Sequence, residues 1–414
     1  MDTTLFLNIR SLVNTREQNT LLRGTDLAHL PCLNDAWLLV EEGFISDFGE
    51  MKNLPDRLRK HPRTVDATGR FLMPCWCDSH THLVFAATRE EEFVDKIKGL
   101  SYAEIAAKGG GILNSAAALR KQSESELFQS ASVRLQDLIR LGTGAIEIKS
   151  GYGLNPESEL KMLRVIKKLK ESFPIPIRAT FLGAHTYPPE FRENHQGYID
   201  LIIREMLPAI ATEKLADYID VFCESGFFSP EETETICRAG IQYGLKPKIH
   251  ANQLHLSGGV QKGVALGAVS VDHLETMDAE AIRVLAASDT IGTLLPTAAF
   301  FLRMPFQPAR DLISAGCAVA LASDFNPGSS PSGNMNLVVA MSCICMKMLP
   351  EEAINSATIN GAYALELEKE VGSIMKGKRA SFILTKPISS LYVLPYSFGS
   401  NLVEKVMVSG EWMS

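Results

Sequence analysis

The hydrophobic residues of this chain change rhythm twice. Over residues 1–70 they alternate with polar ones in short stretches, TLFLNIRSLV, DAWLLVEEGFISDFG and RTVDATGRFLM, broken by Gly, Asp and Pro. That is the pattern of strands with one buried face. Asp35 and Glu41-Glu42-Gly43 read as turns. From residue 71 onward, short apolar runs bounded by turn residues alternate with amphipathic stretches. Strand candidates lie at 71–78, 145–149, 177–182, 218–223, 247–249, 269–272, 290–295 and 318–322. Between them, residues 123–140 put Leu127, Ala131, Leu135 and Leu138 on one helical face. Residues 155–171 open with Asn155 as a cap and Pro156 in the first turn, followed by a stripe of Leu160, Leu163, Ile166 and Leu169. Ser229-Pro230-Glu231-Glu232 announces a third helix. Near residue 369 the pattern returns to β, with VGSIMKGKRASFILTK and NLVEKVMVSGEWM as strand pairs around Gly turns.

Successive strand–helix units of this kind fit a TIM (β/α)8 barrel better than an open sheet. The predicted fold is α/β. Residues 71–368 form the barrel, and residues 1–70 and 369–414 together form a small β-sandwich domain.

In such a barrel the active site lies at the C-terminal ends of the strands. The first candidate ends in Asp78-Ser79-His80-Thr81-His82. Side chains two apart on a strand point the same way, so His80 and His82 converge. Alone, the pair is as well read as two inert polar residues at a strand end. Later strand ends add His185, His250-Ala251-Asn252-Gln253, Asp272-His273-Leu274-Glu275 and Ser323-Asp324. Five of the nine histidines thus fall on one side of the barrel. His80, His82, His250 and Asp324 make three imidazoles and a carboxylate. That set suits one Zn²⁺ per chain, or iron as Fe²⁺ or Fe³⁺, with a position left for water. Water on such an ion becomes a hydroxide near neutral pH, able to attack a carbonyl or amidine carbon. Asp324 is placed to take the water's proton and deliver it to the leaving nitrogen, and His185 and His273 to polarise the attacked oxygen. Lys149 follows the second strand, which is the wrong place for a lysine bridging two metals.

Composition narrows the partners. The chain has 414 residues, 46% hydrophobic and 21% charged, with a net charge of -7. It carries no long basic block, so nucleic acid and anionic membrane are not expected partners. It has no apolar run of membrane-spanning length and no signal-peptide pattern in MDTTLFLNIRSLVNTREQ, so a cytoplasmic location is expected. Eight scattered cysteines read as free thiols, most of them in apolar surroundings. Cys75-x-Cys77 has no second pair at metal-binding spacing and reads as packing. His29, His61, His195 and His255 lack ligand-type neighbours or strand-end positions and read as surface residues.

The H-x-H after the first strand, single His after the fifth and sixth, and Asp after the eighth resemble the amidohydrolase superfamily. Longer stretches carry a closer resemblance to one branch of it: DSHTHLVFAATREEEF, GGGI at 109–112, EIKSGYGL at 147–154, FLGAHTYPPEF at 181–191 and DVFCESGFFS at 220–229. HANQL at 250–254, VDHLE at 271–275, LLPTAAFFL at 294–302 and ASDFNPGSSP at 322–331 extend it across most of the barrel. The resemblance implies hydrolysis of 4-imidazolone-5-propanoate to N-formimidoyl-L-glutamate, a step of histidine breakdown. It also implies a homodimer. By itself Arg89 reads as an ion-pair partner of Glu90, Glu91 or Glu92; the resemblance makes it a bidentate clamp for the substrate carboxylate. Tyr152, His185 and Gln253 become substrate contacts, and Asn326, Gly328 and Ser329 touch substrate or product. Cys75 and Ala87 replace glycines usual in the family, a matter of local packing. A nucleobase-type deaminase could use the same ligand set, but its substrate has no propionate for Arg89. A catalytically silent scaffold predicts a missing ligand, and none is missing.

Overall fold

The computed structural model describes residues 3–100 and 110–413; Gly109, the first residue of the GGGI motif, lies outside them. The chain opens with strands β1 (Thr3–Val13), β2 (Cys32–Glu41), β3 (Phe44–Glu50), β4 (Thr64–Asp66) and β5 (Phe71–Pro74). Then come β6 (Trp76–Asp78), β7 (Thr143–Lys149), β8 (Ile177–Ala184), β9 (Tyr218–Cys223), β10 (Lys246–Ala251), β11 (Ser270–His273), β12 (Ile291–Leu294) and β13 (Val319–Leu321). It ends with β14 (Phe382–Thr385), β15 (Val403–Val408) and β16 (Glu411–Met413).

Strands β6 to β13 follow one another in sequence order in one eight-stranded sheet, every neighbouring pair parallel. They are buried along nearly their whole length, as parallel strands covered by helices must be. The sheet closes on itself beyond β6 and β13. The Asp324 N–H donates to the His80 carbonyl at 3.0 Å and the His82 N–H to the Phe325 carbonyl at 2.9 Å, with a bridge between Thr81 and Phe325. The barrel is the predicted one, and its strand positions agree with the apolar runs to within a few residues.

The helices start where their caps say they should. Glu124–Arg140 and Pro230–Gln242 each begin with a complete capping box, Ser123 with Glu126 and Ser229 with Glu232. Pro156–Ser172 begins with the Asn155 side chain accepting from Ser158 N–H. Leu127, Ala131, Leu135, Leu163, Ile166 and Leu169 are buried against the barrel, and Leu160 is half-buried. Among the described residues no helix is long and apolar enough to cross a membrane.

The expected strand at 71–78 is two strands. Pro74 has no N–H to continue a ladder. Phe71–Pro74 pairs with β1 and β14, and Trp76–Asp78 starts the barrel beside β7. The chain changes sheets at Cys75, whose side chain leaves no room for a Cβ on Gly144 of β7. The termini thus share a second sheet of order β16-β15-β14-β5-β1-β2-β3, with β4 also beside β1. Its own core holds Phe6, Leu38, Ile45, Phe382 and Met407, with Phe6 edge-on to Phe382 at 5.2 Å. Glu42 and Gly43 turn β2 into β3 with φ of +51° and +83°, as expected for a tight hairpin. Asp35 is no turn: it lies within β2 at φ +47°, beside the register shift of β1 between Phe6 and Ile9. The stretch VGSIMKGK forms no strand; Lys378 instead ties it together by donating to the Val371 carbonyl and Ser373.

Candidate metal and substrate site

The ends of β6, β10 and β13 bring four predicted groups together, and the end of β11 adds His273 beside them. His82 Nε2 lies 3.4 Å from His250 Nε2 and 3.5 Å from Asp324 Oδ1, and His80 Nε2 lies 3.6 Å from the same carboxylate oxygen. Two sets of buried groups have ligand atoms close enough to share an ion: His80, His82 and His250; and His80, His273 and Asp324. His273 therefore stands nearer the metal set than a substrate contact alone would. Asp324 adopts φ +51° and His273 φ +87°, conformations that side-chain-bearing residues rarely take and that concentrate at functional sites.

The arrangement fits a divalent ion. His80 turns Nδ1 to Asp272 at 2.7 Å and His250 turns Nδ1 to Asp220 at 2.9 Å. At His80 the contact is a hydrogen bond, which fixes the proton on Nδ1 and leaves the Nε2 lone pair facing the cluster; at His250 the Asp220 carboxylate lies beside Nδ1 and accepts from the His250 backbone N–H at 3.1 Å. His80 Nε2 is buried without a hydrogen-bond partner. Burial, reinforced by Lys149, drives the pKa of His80 and His250 well below the usual imidazole value, and burial with His185 does the same to His82. Neutral nitrogen donors pointing at one another are a metal-ligand set rather than a set of charged histidines. His273 differs. Burial disfavours its charge, but Glu275, 3.4 Å from Nδ1, outweighs this and raises its pKa. Burial lifts the Asp324 carboxyl to about 7 against the opposing pull of His273.

Beneath the histidines lies a layer of charge that sequence reasoning missed. Lys149 Nζ donates to Glu147 at 2.7 Å and to Asp220 at 2.8 Å, and Lys248 donates to Glu147 and the Ser79 carbonyl. Burial works against the Lys149 charge, and Asp220, Glu147 and Asp272 outweigh it, raising its pKa. Lys149 is thus committed to structural carboxylates, in line with its exclusion as a bridging ligand. Asp220 and Asp272 were detectable in principle, since each occupies an inward strand position within a quoted motif.

The predicted substrate contacts line one cavity of about 260 Å³ that reaches the metal set: Arg89, Tyr152, His185, Gln253, Asn326, Gly328 and Ser329, with His82, His250, His273 and Asp324. Arg89 Nε donates to Ser115 Oγ at 2.9 Å, while Glu92 accepts from the Gly111 N–H. The guanidinium lies so close to Gly328 that a Cβ there would come within 2.4 Å of Nη1. Asn326 shapes its loop: Oδ1 accepts from Gly328 and Ser329 N–H at 2.8 Å each, and Nδ2 donates to Ser329 Oγ at 2.7 Å. Tyr152 sits on a loop gathered by buried Glu159, which accepts from the N–H groups of Gly151, Gly153 and Leu154 at 3.0, 2.7 and 2.9 Å. His185 donates from Nδ1 to the Gly151 carbonyl at 3.1 Å and stacks on His82. Burial lowers its pKa to about 4. Gln253 precedes two N–H groups, Leu254 and His255, that both donate to Glu224.

Lys96 also lines the cavity, with Nζ 3.4 Å from the Gly328 carbonyl. The spacing 89 to 96, two helical turns, was the signal for it. Cys75 and Cys77 are buried, as read from the sequence, and His255 is exposed. His195 is exposed too, but it opens a helix rather than a loop and stacks on Tyr187 at 3.7 Å.

A barrel that gathers His and Asp side chains at the ends of its first, fifth, sixth and eighth strands points to a class of hydrolase, and comparison with known proteins agrees with that class. The family model described as "Amidohydrolase family" matches residues 71–413. Among solved structures, Escherichia coli guanine deaminase superposes with a TM-score of 0.75 at 15% identity, covering 100% of this chain and 99% of that one. A triazine hydrolase variant superposes with a TM-score of 0.75 at 16% identity, covering 99% and 94%. At these identities the likeness is one of fold. Curated sequences are much nearer. The imidazolonepropionase of Flavobacterium johnsoniae is 57% identical over 409 residues, 99% of each chain. That of Christiangramia forsetii is 53% identical over 99% of each, and that of Clostridium tetani 43% identical over 94% of this chain and 92% of its own. The chain belongs to the amidohydrolase family, among the imidazolonepropionases.

Proposed function

We propose that this chain hydrolyses 4-imidazolone-5-propanoate to N-formimidoyl-L-glutamate in histidine catabolism. The observation that carries the reading is one cavity shared by two chemistries: the His and Asp cluster at its floor and the Arg89 guanidinium in its wall. A substrate with a carboxylate tail and a hydrolysable cyclic amide is complementary to both.

His80, His82, His250 and Asp324 would hold the ion. When bound, it supplies Lewis acidity, making water acidic and a carbonyl carbon electrophilic. The chain's own residues do the rest. Arg89, with Lys96 as a second positive charge, holds the propionate and so places the ring carbonyl over the cluster. Tyr152 and Gln253 hydrogen-bond the ring edge. Asn326, Gly328 and Ser329 line the cavity beside Arg89 and contact substrate or product. Asp324 accepts the proton of the attacking water. As the carbonyl oxygen gains negative charge, His273 stabilises it, while His185, its own proton given to the Gly151 carbonyl, accepts from the ring N–H. The carbonyl C–N bond then breaks, and Asp324 returns the proton to the departing ring nitrogen. The new carboxylate and the formimidoyl nitrogen leave as one open chain. The proposal includes one Zn²⁺ or Fe²⁺/Fe³⁺ per chain, a homodimer and a cytoplasmic location, all supported by resemblance to the family.

The direct test follows the ultraviolet absorbance of the imidazolone on adding purified protein of known metal content. Loss of absorbance with about one metal per chain is expected. Full activity in metal-free protein overturns the mechanism. An unchanged imidazolone, with ammonia released from an aminopurine or aminopyrimidine instead, moves the reading to a deaminase.

A further inference from the structure

Five ionisable side chains, Glu147, Lys149, Asp220, Lys248 and Asp272, lie together beneath the histidines, each with a side chain 0% exposed. None of them touches the cavity where the reaction is placed. Burying this much charge is costly unless every group is paired, so the way the pairs are arranged is informative.

Lys149 and Lys248 are paired differently. Lys248 engages Glu147 and the Ser79 carbonyl, the latter at 2.9 Å. Lys149 also engages Glu147, but its Nζ lies 2.8 Å from Asp220 Oδ2 and 3.7 Å from Asp272 Oδ2. These same two oxygens face the metal-site imidazoles. Asp220 Oδ2 is 2.9 Å from His250 Nδ1, and Asp272 Oδ2 is 2.7 Å from His80 Nδ1. Each oxygen is therefore shared between one imidazole and one common ammonium.

We propose that Lys149 is a positioning residue for the metal site, fixing the carboxylates that orient His80 and His250 so that the two histidines are set as a pair. The proposal rests on the reading that these histidines hold a divalent ion. Without the ammonium, two carboxylates would face each other in a dry interior. The cheapest relief is for one of them to rotate away from the other. That withdraws the carboxylate from a histidine Nδ1, and the ring is then free to turn its Nε2 away from the cluster. Losing such an outer partner costs metal affinity even though every ligand remains.

Lys248 provides a matched control, because it is equally buried and bonds the same glutamate. The full chain is prepared metal-free as wild type, Lys149→Met and Lys248→Met. Zn²⁺ binding is measured by competition with a chelator, and thermal midpoints are taken with and without Zn²⁺. Lys149→Met is expected to bind Zn²⁺ about 10- to 100-fold more weakly, with a smaller Zn²⁺-induced rise in midpoint. Lys248→Met is expected to melt earlier in both forms while keeping the wild-type rise. If Lys149→Met does not fold, Lys149→Gln, which removes the charge but keeps a donor, enters the same comparison. Wild-type Zn²⁺ affinity in the Lys149 variant, or an equal loss in both variants, overturns the proposal alone. Failure of the wild type to take up Zn²⁺ overturns the metal reading and this proposal with it.

Discussion

Ser323 gives both of its donors to Asp78. Its N–H donates to Oδ1 at 3.0 Å and its hydroxyl to Oδ2, across 245 residues of sequence. The pair joins the last barrel strand to the first, directly beneath the loop that carries Asp324. Ser323→Ala leaves one oxygen of a buried carboxylate short of its donor. A loss of about 1–3 kcal/mol is expected, read as a lower midpoint in thermal or urea unfolding. A variant as stable as wild type would show that the barrel closes without this pair.

Arg89 faces the cavity rather than its acidic neighbours, with Ser115 fixing its Nε. Arg89→Ala is expected to raise KM about 10- to 100-fold with a smaller change in kcat. Arg89→Lys should fall between, since it keeps the charge and loses the planar fork. Steady-state kinetics on the imidazolone distinguish these outcomes, and an unchanged KM removes Arg89 from the substrate site.

Glu159 does not line the cavity, yet its three backbone acceptor contacts shape the loop bearing Tyr152. Glu159→Ala is expected to cost at least about 2 kcal/mol and to raise KM as well. Tyr152→Phe should raise KM while leaving the unfolding midpoint near wild type. If Glu159→Ala lowers stability without altering KM, the loop holds its shape by other means.

Lys378 is buried, and burial lowers its pKa to about 8, against about 10.4 for an exposed lysine. Between those values the unfolded chain binds more protons than the folded one, so this group's contribution to stability rises with pH across the window. Urea unfolding of wild type and Lys378→Met from about pH 7.5 to about pH 10 isolates it. The difference, wild type minus variant, should climb with pH; a flat difference would mean that Lys378 titrates as an exposed lysine does.

The barrel was legible because its strands are short apolar runs and its helices announce themselves with caps at Ser123, Asn155 and Ser229. The cluster of His and Asp side chains was legible for a related reason. Its members stand at strand ends, and a barrel gathers strand ends at one rim. Two kinds of feature stayed hidden. The division of the first strand at Cys75 left no mark in hydrophobicity, since both halves are buried and only the partner sheet changes. The layer of Glu147, Lys149, Asp220, Lys248 and Asp272 looks, residue by residue, like ordinary strand polarity. It becomes a unit only when β7, β9, β10 and β11 stand side by side. Lys96 lay outside the strand-end rule because it reaches the cavity from a helix.

The closure of β6 against β13 also sets a schedule. The proposed ligands run from His80 to Asp324, and the contacts that align them include the backbone bonds joining residues 80–82 to residues 324–325. As the chain leaves the ribosome, about three quarters of it must emerge before the last ligand exists. The terminal sheet waits longer still, for β14 to β16. On the proposed ligand set, acquisition of the ion is a late event in biogenesis, and a chain cut short between His273 and Asp324 keeps the cluster's histidines but has no completed cradle in which to hold it.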